Sequence, residues 1–93
     1  MSLNKEQLKI ALWIIKSDEI KKRDKYTCQN CNSKEHLAVH HIYPKGRGGK
    51  DINENLITLC DKCHYMVHQR RNIYIGFWIK HFKKLMEEKC KKT

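Results

Sequence analysis

The sequence predicts a small α+β fold, in which a zinc-stapled core of short strands and a short helix is flanked by an N-terminal and a C-terminal helix. Three observations predict it. Two Cys-x-x-C knuckles, Cys28 with Cys31 and Cys60 with Cys63, bracket the middle of the chain. Between them lie a run of strand formers and a loop broken by Pro44, Gly46, Gly48 and Gly49. On either side, apolar residues recur at helical spacing. The 93 residues suffice for one domain over 1–93, with a motif core at about 20–68 and helical flanks at 4–22 and 72–90. A domain of this size has a thin hydrophobic core, so a staple is expected.

Residues 4–22 read as the first helix. Leu8, Leu12, Ile15 and Ile20 recur near helical spacing and are expected to pack on the rest of the domain. The side-chain oxygen of Asn4 can cap the first turn. Tyr26-Thr27 and Leu37 to Ile42 are rich in strand formers. Asn55 to Leu59 leads into the second knuckle, and a short helix should follow through His64 and His68. Residues 72–90 read as the last helix, with Ile75, Trp78, Ile79, Phe82, Leu85 and Met86 facing inward and Lys80, Lys83, Lys84 and Lys89 off that stripe.

Charge is strongly positive, 20 Lys and Arg against 10 Asp and Glu, and most concentrated at 70–93, which carries 8 basic and 2 acidic groups. Such a balance favours a polyanionic partner, nucleic acid above all, although a lysine-rich surface can also serve solubility alone. The apolar run Ile10 to Ile15 is far short of the roughly 20 residues needed to cross a bilayer, and no small-residue cleavage site follows it. No membrane partner is therefore expected, and the expected setting is the cytoplasm. Thiols stay reduced there, so paired cysteines point to metal rather than disulfides.

A two-residue gap lets both thiolates of a knuckle face a common centre. Cys28, Cys31, Cys60 and Cys63 thus make a closed tetrahedral site suited to one structural Zn2+. A mixed site using two cysteines with His64 or His68 is the rival arrangement. Cys90 stands apart as a bystander. The 28 residues between the knuckles exceed the usual spacing of a plain ribbon and contain His40, His41 and Asn55. His40 and His41 are neighbours on a strand, so they point to opposite faces and should have different tasks. His64 and His68 are four apart on a helix, a spacing that suits two ligands on one metal. His36 and His81 read as surface or satisfied residues.

The stretches Arg23 to Cys31, Val39-His40-His41-Ile42 and Glu54 to His64, in this order and spacing, resemble the HNH (ββα-metal, His-Me finger) endonucleases, of which small stand-alone members are frequent in phages and mobile elements. The resemblance covers about half of the chain. It implies a ββα unit gripping one divalent ion. His40, His64 and His68 would be the ligands, His41 the general base, and Asn55 the residue that orients the base through its carbonyl and steadies the loop. Where many members have Asp-His this chain has His40-His41, so the catalytic metal (Mg2+, Mn2+, Ni2+ or Zn2+) is open. The implied activity is divalent-metal-dependent cleavage of DNA, as a nick or a double-strand cut, with a terminase as a candidate partner.

Lys45, Arg47 and Lys50 sit in the glycine-broken loop between base and asparagine. Their charges, and the amides of Gly46, Gly48 and Gly49, could reach phosphates, or the loop could be merely solvated. Contact with DNA should fall mainly on its backbone. The competing function is a zinc-stabilised nucleic-acid-binding module without catalysis. A monomer and a homodimer, the latter through Trp78 and Phe82, are both compatible with the sequence.

Overall fold

The computed structural model describes residues 2–68 and 71–91, without the side chains of 71–74 and 89–91; Lys89 and Cys90 therefore lie outside the described side chains. The order of elements is α1 (Lys5–Arg23), β1 (Leu37–His41), β2 (Leu56–Cys60), α2 (Asp61–His68) and α3 (Arg71–Lys91), with single 3-10 turns at Lys45–Arg47 and Asn53–Asn55. The fold is thus a ββα core of β1, β2 and α2 flanked by α1 and α3, as the sequence predicts.

Helix α1 starts where Asn4 supplies a capping box. Asn4 Oδ1 accepts from the Gln7 amide at 2.8 Å, and Gln7 Oε1 accepts from the Asn4 amide at 3.1 Å. Its apolar stripe does not pack as expected. Leu8, Leu12 and Ile15 are exposed, and only Ile20 is buried. The reason is geometric: α1 meets the hairpin through its last turn and through Trp13, and nothing among the described residues covers the rest of the stripe. Tyr26-Thr27 is likewise not a strand. Lys25 and Tyr26 adopt left-handed φ of 57° and 49°, which turn the chain out of α1 and into the first knuckle.

β1 and β2 pair antiparallel, with His40 opposite Ile57 and His41 opposite Leu56. All five residues of β2 are buried, so its sequence is an unbroken run of apolar residues and Thr58 rather than an alternation. A buried carboxylate ties the hairpin to α1. Asp24, 1% exposed, receives Arg23 Nε at 2.9 Å and a second Arg23 nitrogen at 3.0 Å, and accepts from the Thr58 amide at 3.0 Å. Arg23 also donates to the carbonyls of Asn53 and Leu56, both at 2.7 Å. One ion pair thereby fixes the exit of α1 against both ends of the loop–strand junction.

The core is built from Cys28, Ile42, Ile57, Leu59, Cys60, Cys63, Val67 and Phe82, with Trp78, Ile79, Leu85 and Met86 of α3 packed on it. The inward stripe of α3 is where its periodicity puts it. Phe82 is fully buried, so it offers no surface for a dimer. No described helix is long and apolar enough to cross a membrane.

Candidate active site and metal centres

The two knuckles come from the turn after α1 and from the β2–α2 junction, and the hairpin brings them together. The Sγ atoms of Cys28, Cys31, Cys60 and Cys63 all lie within 4.8 Å of one another, and those of Cys31 and Cys60 are 3.5 Å apart. Four thiolates around Zn2+ at about 2.3 Å would be about 3.8 Å apart, so the set fits that ion. Its electrostatics agree. Burial above all, with the neighbouring thiols, pushes the Cys63 thiol up to about 12 against the lowering effect of a hydrogen bond from Asn30. Burial also opposes ionisation of Cys28, but the amides of Cys31, Cys60 and Asn30 outweigh it and bring that thiol down to about 7. Sulfurs this close can all ionise together only around a cation. All four are free of disulfides.

Asn30 and His81 complete the knuckle. Asn30 Nδ2 approaches Cys63 Sγ at 3.4 Å, and Asn30 Oδ1 accepts from His81 Nε2 at 2.8 Å. His81 is thus a satisfied residue, as its isolation in the sequence suggests, yet it anchors α3 to the cysteine site. His36 is exposed, with a left-handed φ of 52° just before β1.

The second cluster is made of imidazoles. His40 leaves β1 on the face towards α2, where His64 and His68 stand one turn apart. Ligand nitrogens of the three lie within 4.8 Å of one another, and the Nε2 atoms of His64 and His68 are 3.0 Å apart. Nitrogens bound to one ion at about 2.05 Å would be roughly 3.3 Å apart, so this set also fits a divalent cation. Burial, and then the charge of His68, hold His64 below the usual histidine range, which keeps its ligand lone pair available. The Phe82 ring sits edge-on to His40 at 5.6 Å and fixes it from behind. The cysteines and histidines form two separate clusters, so a mixed two-cysteine, two-histidine site is not what the fold assembles.

His41, the next residue of β1, lines the same cavity as His40 but has its own set of contacts. Its ring stacks on Trp13 at 5.1 Å with 12° between planes, and its Nε2 lies 2.6 Å from Asp51 Oδ1. That contact also holds the Asp51 carboxyl below its ordinary range, with Lys45 adding to the effect. The carbonyl of Asn55 does not reach His41. Its Oδ1 accepts from the Tyr43 amide at 2.7 Å, while Nδ2 donates to the carbonyls of Tyr43 and Lys50 at 3.1 and 3.0 Å. An amide side chain offers an acceptor and two donors in one plane, which suits it to cross-brace a loop. Asn55 therefore steadies the loop, and it is Asp51, not Asn55, that contacts His41. Asp51 and Trp13 are the site residues that sequence reasoning missed; the first has no motif to mark it, and the second lies on a helix outside the resemblance.

The glycine loop differs from expectation in one respect. The amide of Gly48 donates to the Lys45 carbonyl at 3.0 Å and that of Gly49 to the Pro44 carbonyl at 2.9 Å, so neither is available to a phosphate. A Cβ on Gly49 would collide with the Tyr43 carbonyl oxygen, and that close backbone approach is the reason for glycine there. Lys45 lines a cavity of about 190 Å³ together with His40, His41, His64, His68 and Trp78. Arg47 and Lys50 are exposed on the loop beyond it.

The family described as HNH endonuclease matches residues 28–70. The type IV methyl-directed restriction enzyme EcoKMcrA of Escherichia coli is 32% identical over 68% of this chain, which spans only 24% of that protein. Anaredoxin of Nostoc is 35% identical over 55% of this chain and 68% of its own length. A putative COX1/OXI3 intron 2 protein of Saccharomyces cerevisiae is 40% identical over 45% of this chain and 6% of its own length. The matched segment, the HNH-like ββα core and the clustered cysteines and histidines are consistent with the HNH endonuclease superfamily.

Proposed function

We propose that the chain is a divalent-metal-dependent DNA endonuclease, with Cys28, Cys31, Cys60 and Cys63 holding a structural zinc and His40, His64 and His68 holding the working ion. The observation that carries this reading is the convergence of three imidazoles beside a fourth, His41, in one cavity. The likeness to a restriction enzyme supports it.

An ion on His40, His64 and His68 would supply Lewis acidity to phosphate oxygens. The chain's own groups do the rest. His41 takes a proton from water as the general base. The water oxygen attacks phosphorus, the P–O3′ bond breaks, and the departing O3′ is protonated by solvent, leaving 5′-phosphate and 3′-hydroxyl ends. Asn55 keeps the loop closed so that Lys45 stays at the cavity rim. Phosphate contacts by Lys45, Arg47 and Lys50 add salt-sensitive, weakly sequence-selective binding. The setting in a phage or mobile element within a bacterial cytoplasm, and a terminase partner, remain part of the proposal only through the resemblance.

The test is relaxation of circular DNA with Mg2+, Mn2+, Ni2+ or Zn2+. Wild type should nick or linearise it, and His41→Ala and His64→Ala should lose at least about a hundredfold in rate, the lower end for loss of a general base. If both variants cut as wild type does, the roles are wrong. Binding of DNA that survives these substitutions, with no cutting by wild type in any metal, would instead establish a non-catalytic binding module.

A further inference from the structure

His41 is held from two sides by groups outside the histidine, asparagine and cysteine pattern. Asp51 Oδ1 lies 2.6 Å from its Nε2, and Asp51 Oδ2 is 3.6 Å from Lys45 Nζ. The Trp13 indole lies nearly parallel to the ring, 5.1 Å away. Among the described residues no hydrogen bond reaches Nδ1 of His41. Asn55, the other candidate for orienting the ring, directs its amide to the backbone of Tyr43 and Lys50.

These contacts have a chemical consequence. An ionised carboxylate is only an acceptor, so the nitrogen that faces Asp51 must carry the hydrogen. A neutral imidazole has one N–H, which leaves the lone pair on the other nitrogen. Stacking on Trp13 restrains the plane of the ring, and with it the direction of that lone pair. Resting on the nuclease reading above, we propose that Asp51 and Trp13 are positioning residues for His41: Asp51 sets the hydrogen on Nε2, Trp13 sets the ring plane, and Nδ1 is the atom that takes the proton from water. When it does, one O–H bond of water breaks, its proton goes to Nδ1, and the oxygen lone pair attacks phosphorus. Asp51 stays ionised beside the imidazolium, as the orienting carboxylate of a hydrolytic triad does. Trp13 lies on α1, before the segment that matches the family, so α1 contributes to the site rather than only to the core.

Two measurements test this. In steady-state cleavage of circular DNA, Asp51→Asn should lower kcat by about tenfold to a hundredfold, the usual cost of losing an orienting partner. KM should stay within about twofold, because substrate binding is not what the pair serves. Trp13→Leu should behave likewise, and Trp13→Phe, which restores a flat ring, should recover most of the rate. The second measurement needs no activity. Long-range 1H–15N correlation spectra of the zinc-loaded protein above the histidine range should show the His41 hydrogen on Nε2 in wild type and a mixture of tautomers in Asp51→Asn. Retained zinc and an unchanged thermal midpoint check that each variant is folded. The proposal is overturned if wild type carries the hydrogen on Nδ1, or if Asp51→Asn cuts at the wild-type rate while His41→Ala does not cut. A wild type that never cuts, yet shows the Nε2 hydrogen and its loss in Asp51→Asn, would sink the nuclease reading and leave the positioning of His41 standing.

Discussion

Asp24 is buried away from solvent, and its donors include two nitrogens of Arg23 and the Thr58 amide. Removing one partner of such a pair leaves the other uncompensated, so Asp24→Ala should destabilise the protein by about 3 kcal/mol, read from the midpoint of denaturant unfolding. Gly49 is a second sensitive point. Gly49→Ala drives a methyl into the carbonyls of Tyr43 and Pro44, atoms of the backbone that cannot swing away. We expect a loss of about 1–3 kcal/mol together with slower cleavage, since the same loop carries Asp51 and Lys45. At this scale the sequence was legible where a residue type has few uses. Cysteine pairs and clustered histidines announce themselves by spacing. Asp24 and Asp51 do not, because a carboxylate is common on surfaces and its importance here arises from partners far off in the chain, such as Thr58 and Trp13's neighbour His41.

Helices α1 and α3 show what periodicity can and cannot say. Both carry apolar residues at helical spacing, and both are helical within a residue or so of expectation. In α3 the stripe reaches the core and Phe82 is fully enclosed, whereas in α1 Leu8, Leu12 and Ile15 face outward. The pattern reports that a face is apolar; which neighbour meets it depends on the angle at which the chain leaves α1. That angle is set by left-handed Lys25 and Tyr26 and by the Asp24 pair, none of which has a signature in the sequence. The Tyr26-Thr27 strand failed for the same reason, since β propensity yields to a turn that the knuckle demands. Phe82→Ala should cost about 3–5 kcal/mol, the usual range for a buried phenylalanine, by thermal or denaturant melts. It should also weaken metal binding at the histidines, because Phe82 backs His40.

For the molecule as a whole, the excess of 20 basic over 10 acidic residues and the single small core set two expectations. Affinity for DNA should fall steeply as salt rises, with a slope in a plot of log affinity against log salt that becomes shallower by about one when Lys45, Arg47 or Lys50 is changed to Ala. If the cysteines hold zinc as proposed, its removal by a chelator should unfold the chain, since a sulfur-bound structural zinc contributes on the order of 10 kcal/mol in small modules. Loss of far-ultraviolet ellipticity in step with metal release would be the signature; a native spectrum after full release would contradict it.

One peptide bond separates Cys63 from His64, so the last thiolate of one cluster and a ligand of the other ride on the same turn of helix. If both clusters hold ions as proposed, metallation should have an order. On the proposed two-ion reading, closing sulfur on its ion anchors the start of α2 and gives His64 and His68 their bearing on His40. An ion offered to the naked chain should be captured first by the thiolates, and the imidazole pocket should come into being only as the product of that first capture.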